Sequence, residues 1–212
     1  MKKLLIAIIL GSALGIALTG CWNSREINSV AFINSIGFDK AADGILMTVQ
    51  VLNPKAIAAQ KTVNEPPVIV FTETGKDPFE MLRKLITQSS RRLNASHLHI
   101  VIFGEDFAKE DGISEILDFF LREHQVRTDV YFTVAKGTSA NNILHILTTL
   151  DSIPGVKLSN SLKNSDDAWA GTKTIKIVDL VNNIVSEGSE AVITGIEVIN
   201  RDENNSIDSL KK

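Results

Sequence analysis

The chain has 212 residues, with 22 basic and 25 acidic side chains, a formal net charge of −3 and 44% hydrophobic content. That balance gives no basic footprint for nucleic acid and none for an independent grip on anionic lipid. A single cysteine excludes an internal disulfide, so the core must hold by burial alone.

Residues 1–20 read as a leader. Met1-Lys2-Lys3 precedes an apolar run to Leu18, the form of a secretory signal. Gly11, Ser12 and Gly15 interrupt the run, which falls short of the roughly 20 apolar residues of a comfortable membrane span. Leu18-Thr19-Gly20-Cys21 resembles the lipobox of bacterial lipoproteins. The resemblance implies that the Cys21 thiol receives an S-diacylglyceryl group, that cleavage makes Cys21 the first mature residue, and that it is then N-acylated. Two or three acyl chains anchor a protein in effect permanently, where one chain gives only about 10⁴ M⁻¹. Removing residues 1–20 takes two basic residues and no acid, leaving 192 residues with 20 basic against 25 acidic side chains, a formal charge of −5. That length suits one domain, or one domain with part of another.

Beyond the polar Asn23-Ser24-Arg25-Glu26, the apolar patterning predicts a strand over Val30–Phe38 and a second over Ile45–Leu52, joined through Asp43-Gly44 as a hairpin with a connection longer than two residues. Residues 55–67 end in Pro66-Pro67 and read as a loop. Val68–Thr72 reads as a strand. Asp77-Pro78 then supplies an N-cap and a first-turn proline for a helix to about Leu93, with Phe79, Leu82, Leu85 and Ile86 on one face. His97–Phe103 is the strongest strand pattern, followed by a helix over Ile113–Glu123, a strand over Val130–Ala135 and a helix over 141–150. Residues 151–172, rich in Ser, Asn, Asp and Gly, read as a surface linker. A helix over Ile175–Ser186 and a strand over Ala191–Asn200 complete the set.

Strands alternating with helices imply an α/β fold of mixed α+β character: a mixed sheet with an N-terminal hairpin, flanked by amphipathic helices. The expected division is a lipoprotein signal peptide over 1–20, one domain over 21–190, and the start of a truncated following domain over 191–212.

Three segments resemble the spore germination lipoproteins of the Ger(x)C family. The first is Cys21-Trp22-Asn23-Ser24-Arg25-Glu26-Ile27-Asn28 with Ile36-Gly37-Phe38-Asp39. The second is Ser96-His97-Leu98-His99-Ile100-Val101-Ile102-Phe103-Gly104-Glu105, and the third Ile116-Leu117-Asp118-Phe119-Phe120-Leu121-Arg122-Glu123, with Arg127 and Val130–Ala135 after it. The similarity runs in order over roughly residues 18–200. It implies a non-enzymatic subunit of a nutrient germinant receptor, lipid-anchored at the outer face of the inner spore membrane. It further implies two integral membrane subunits as partners and a complex that responds to a small nutrient. Family members usually continue into further domains, so the chain ending at Lys212 is expected to be a truncated member or a partial product. The alternative is a lipid-anchored solute-binding protein delivering a nutrient to a transporter, although 192 residues are few for two lobes and a cleft.

The remaining candidates read as structural. His97 and His99 would share one face of a strand, a spacing zinc sites use, but no third ligand, HExxH or CxxC accompanies them, and neither metal nor cofactor is assigned. No GxSxG elbow exists, and His124 and His145 fall in predicted helices without partners. Glu105-Asp106 and Asp166-Asp167 read as solvated acids, and no phosphate-binding glycine loop appears outside the leader. Trp22 suits the headgroup layer beside a lipidated cysteine, and Trp22–Asn28, Arg25 included, reads either as a disordered tether or as a segment that orients the domain against the membrane or a membrane subunit. Arg83, Arg91, Arg92, Arg122 and Arg127 fit an interaction surface, and solvated helix faces explain most of them equally well.

Overall fold

A computed structural model describes residues 1–17, 29–58, 65–110, 112–146, 151, 153–169, 171–186, 188 and 191–198. Two units are distinguished, 1–30 and 31–212. The first carries helix α1 (Lys2–Ala17), on which Leu4, Leu5, Ile6, Ile8, Ile9 and Leu10 are all exposed. Among the described residues no helix is long and apolar enough to cross a membrane.

The body is built on one seven-stranded sheet. In chain order its elements are β1 (Val30–Ala41), β2 (Gly44–Leu52), α2 (Pro54–Ala58), β3 (Val68–Gly75), α3 (Pro78–Gln88), β4 (Arg92–Asn94) and β5 (Ile100–Gly104). There follow α4 (Glu105–Glu110), α5 (Ser114–Arg122), β6 (Tyr131–Lys136), α6 (Ala140–His145), α7 (Pro154–Trp169), α8 (Ile177–Val185) and β7 (Gly195–Glu197). The strand order is β3-β2-β1-β5-β6-β7, with β4 beside β1 off this path. β3, β2 and β1 are antiparallel neighbours, while β1, β5, β6 and β7 run parallel, so the sheet is mixed as the element pattern implied. The hairpin is tighter than expected: β1 and β2 pair out to Ala41 and Gly44, leaving a two-residue turn.

The sheet's two faces differ in chemistry. On one, Ile36, Phe38, Met47, Val49, Val101, Phe103 and Phe132 meet α3, α4, α5 and α8 in the main core. Phe38 lies 6.1 Å from Phe103, 6.4 Å from Phe107 and 6.0 Å from Phe120 between ring centroids, and Phe119 stands edge-on to Phe79 at 4.8 Å. Rings so spaced add to their area burial through edge-to-face and offset contacts. The other face is smaller: Ile100, Ile102 and Ala135 pack on Ala140, Ile143 and Leu144 of α6 and Leu162 of α7. Beside them lies a polar layer of Asn34, Ser35, Thr48 and Gln50, all buried. A bulge between Ile33 and Ser35 lets Ile33 and Ile36 both reach the main core and turns Asn34 and Ser35 toward the polar side.

Several elements depart from expectation for local reasons. The helix expected to reach Leu93 ends at Gln88, where the Ser89 cap N–H returns to Leu85 O, and Arg92–Asn94 pairs with β1 instead. The strand expected from His97 starts at Ile100. α2 lies in the expected loop, and α4 follows β5 with no connection. The expected linker is largely helix α7.

Candidate functional site

Three of the family-like stretches, Ile36–Asp39, Ile100–Glu105 and Val130–Ala135, run side by side to the C-terminal ends of the parallel strands, where open α/β sheets usually place a ligand. Here that position is filled by protein. Asp39, near the end of β1, is 7% exposed, and its two carboxylate oxygens accept from Ala140 N and Asn141 N, each at 2.8 Å. The carboxylate thereby satisfies two orphan amides at the start of α6, while Ser139 Oγ accepts from Asn142 N at 3.1 Å. Gly104, ending β5, lies so close that a Cβ would collide with Asp39 Oδ1. Glu105 completes the corner: its carboxylate accepts from Gly137 N at 3.2 Å and from Lys109 Nζ at 2.7 Å. Burial pushes the Asp39 carboxyl above its ordinary 3.8, and the two backbone N–H donors only partly offset this. Lys109 and the Gly137 amide hold Glu105 below its ordinary value.

The polar layer behind this corner is also satisfied. Gln50 donates to Leu144 O at 2.9 Å, and its Oε1 accepts from Gly155 N at 3.3 Å. Thr48 Oγ1 bonds Asn141 Oδ1 at 3.2 Å. Among the described residues no buried side-chain nitrogen or oxygen lacks a partner. Such an arrangement positions helices; it leaves no buried polar atom aimed at a ligand.

Among the described residues, the candidates read from sequence are not assembled into a centre. Cys21, Trp22 and Arg25 lie outside the described residues. His97 lies in a turn before β5 and stands edge-on to Phe32 at 4.6 Å, so the two histidines do not share a strand face. His99 is held below its ordinary 6.5, first by burial and then by His97 nearby. His124 lies just past α5, 3.3 Å from Glu123, and His145 Nδ1 sits 2.7 Å from Asn141 O. Asp166 accepts from Thr174 N at 3.0 Å and from Thr174 Oγ1 at 2.5 Å, tying the end of α7 to the approach to α8, while Asp167 is exposed. Arg122 pairs with Asp118 at 2.9 Å and Arg127 with Asp129 at 3.0 Å. Arg83 and Arg92 are exposed, and Arg91 is half-buried. Among the described residues no group of three or more His, Cys, Asp or Glu could hold a metal ion.

A shallow groove of about 530 Å³ runs between the first turns of α3 and α5, with Phe79 and Phe119 as its floor and Lys76, Asp77, Glu115 and Asp118 around it. The Asp77 carboxylate there already caps α3, accepting from Phe79 N at 2.9 Å.

A mixed sheet whose described family-like segments lie in strands β1, β5 and β6 and helix α5 defines a structural class, and comparison with known proteins names it. Residues 23–198 match the family model of the spore germination protein N-terminal domain, and the chain belongs to that family, the Ger(x)C proteins. It is 33% identical over 207 residues to spore germination protein KC of Bacillus subtilis, an alignment covering 95% of this chain and 51% of that protein. The putative spore germination protein YfkR of the same organism is 33% identical, over 73% of this chain and 41% of the relative. Spore germination protein A3, also from Bacillus subtilis, is 24% identical, over 86% and 52%. The chain thus spans about half the length of these relatives. No solved structure matches it.

Proposed function

We propose that this chain is a lipid-anchored, non-catalytic subunit of a nutrient germinant receptor, acting in spore germination by assembly with integral membrane subunits. The observation that carries the reading is the similarity to spore germination protein KC across 95% of the chain. The geometry supports a non-catalytic role: the crevice at the strand ends is occupied by the Asp39 latch, and the acids and histidines are dispersed among local bonds. Attachment falls to Cys21, whose thiol takes the diacylglyceryl group before residues 1–20 are removed and whose freed amine is then N-acylated, and this holds the body at the outer face of the inner spore membrane. An anchored body contributes by contact, and the nutrient is sensed by the complex.

The test is a membrane pull-down from sporulating cells of the chain tagged at Lys212, beside Cys21→Ala. Two multi-spanning partners should be recovered, and recovery should fall with Cys21→Ala. Recovery of neither partner by a correctly lipidated chain would remove the receptor reading.

A further inference from the structure

The sheet's two ends are unequal. β7 is three residues long, whereas β3, at the other end, holds register with β2 over eight consecutive pairs from Val68↔Leu52 to Gly75↔Ile45. Its sequence, VIVFTETG, is rich in β-branched and aromatic residues. Asn53 N donates to Pro67 O at 2.8 Å, which sets that carbonyl toward β2. By the alternation of an antiparallel ladder, Val68, Val70, Thr72 and Thr74 then direct their N–H and C=O groups outward. Among the described residues no backbone group bonds them from that side.

Natural edge strands of this length are usually guarded by a lysine, a proline or a bulge. Within β3 there is none of these, and its one charge, Glu73, accepts from Gln88 Nε2 at 2.9 Å. Ile69 is 43% exposed, and Thr72 and Thr74 are exposed. The strand is flanked by charges of opposite sign, Glu65 before it and Lys76 after it, both exposed.

We propose that β3 is a self-association edge, on which a second copy of this chain pairs antiparallel about a twofold axis centred on Phe71. In that register Val70 faces the second copy's Thr72 and Val68 its Thr74, in hydrogen-bonded pairs that use the outward groups of both strands. Phe71 faces its own counterpart in a non-hydrogen-bonded pair, where cross-strand aromatic contact is closest. Ile69 lies opposite Glu73, so no like charges oppose each other within the strand. Because the pairing is antiparallel, Lys76 of each copy comes within one residue of the position opposite Glu65 of the other, at both ends. The interface is isologous and closes at two copies, so it caps the edge instead of propagating.

The experiment is sedimentation equilibrium of the full chain in a density-matched detergent, which reports protein mass alone. The wild-type mass should rise with concentration from one chain to two and no further. Thr72→Pro and Val70→Pro each delete an outward N–H and leave the ladder to β2 intact, so both should remain monomeric with an unchanged circular dichroism spectrum. Should either variant misfold, charge decides the matter. Lys76→Glu should weaken the dimer roughly fivefold, and adding Glu65→Lys should restore it. A wild-type chain that stays monomeric throughout the range overturns the proposal, as does a dimer whose affinity Lys76→Glu leaves unchanged. Monomeric wild type combined with lost recovery of membrane subunits by Thr72→Pro would assign the edge to another chain, and would also overturn it.

Discussion

Asp39 joins two parts of the chain a hundred residues apart with one carboxylate, and it does so from an environment that disfavours the charge. Its pKa is raised in the folded state, so folding binds the proton more tightly than the unfolded chain does. Its contribution to stability is therefore full below its ordinary value near 3.8 and is lost as pH rises through the raised folded value. Asp39→Asn keeps one acceptor and cannot titrate. The unfolding free energy of the wild type relative to Asp39→Asn should thus decline as pH rises from about 4 toward neutrality, measured by urea denaturation at each pH. A difference that grows with pH would refute the assignment. Asp39→Ala orphans both α6 amides and should cost about 2 kcal/mol near pH 4, with the same decline toward neutrality. Nothing local in Ile36-Gly37-Phe38-Asp39 announces this role. An acid at the end of an apolar strand reads as the start of a turn, and its partners, Ala140 N and Asn141 N, follow only from the strand order.

At the scale of elements, legibility tracked how much each helix owes to an apolar stripe. α3 was readable because Asp77 and Pro78 mark its start and Met81 and Leu85 bury a coherent face. α5 likewise buries Ile116, Leu117, Phe119 and Phe120. α7 was not readable, because it docks mainly through small and polar residues: only Pro154, Gly155, Ser159 and Leu162 are buried, and Gly155 rests on Asn34 and Ser35. A Cβ at 155 would collide with Ser35 Oγ and Asn34 Oδ1, both in the bulged part of β1. Gly155→Val should therefore cost about 1–3 kcal/mol by overpacking. It should also raise hydrogen exchange across α7 while α5 stays protected. Equal loss of protection in both helices would mean that the two faces of the sheet unfold as one unit. β4 was missed for the opposite reason: Arg92–Asn94 continues a helical apolar pattern, and pairing with β1 overrides it.

For the molecule as a whole, the question is whether this body could capture a nutrient by itself. A site for a small molecule encloses most of its ligand's surface and offers a few unspent polar groups. The groove between α3 and α5 is shallow, and Asp77 in it is already engaged with the α3 backbone. The strand-end crevice, where the fold would otherwise hold a ligand, is closed by Asp39 and α6. A body of this kind should show no thermal shift with single amino acids or sugars. A true binding protein at a hundredfold excess of ligand over Kd gains about 2.7 kcal/mol, or several degrees for a domain of this size. Differential scanning calorimetry of the full chain with each nutrient separates the two cases. A shift of several degrees with one nutrient, abolished by Phe79→Ala or Asp118→Ala, would place ligand capture in the α3–α5 groove. It would make this chain a sensor in its own right and not an assembling subunit alone.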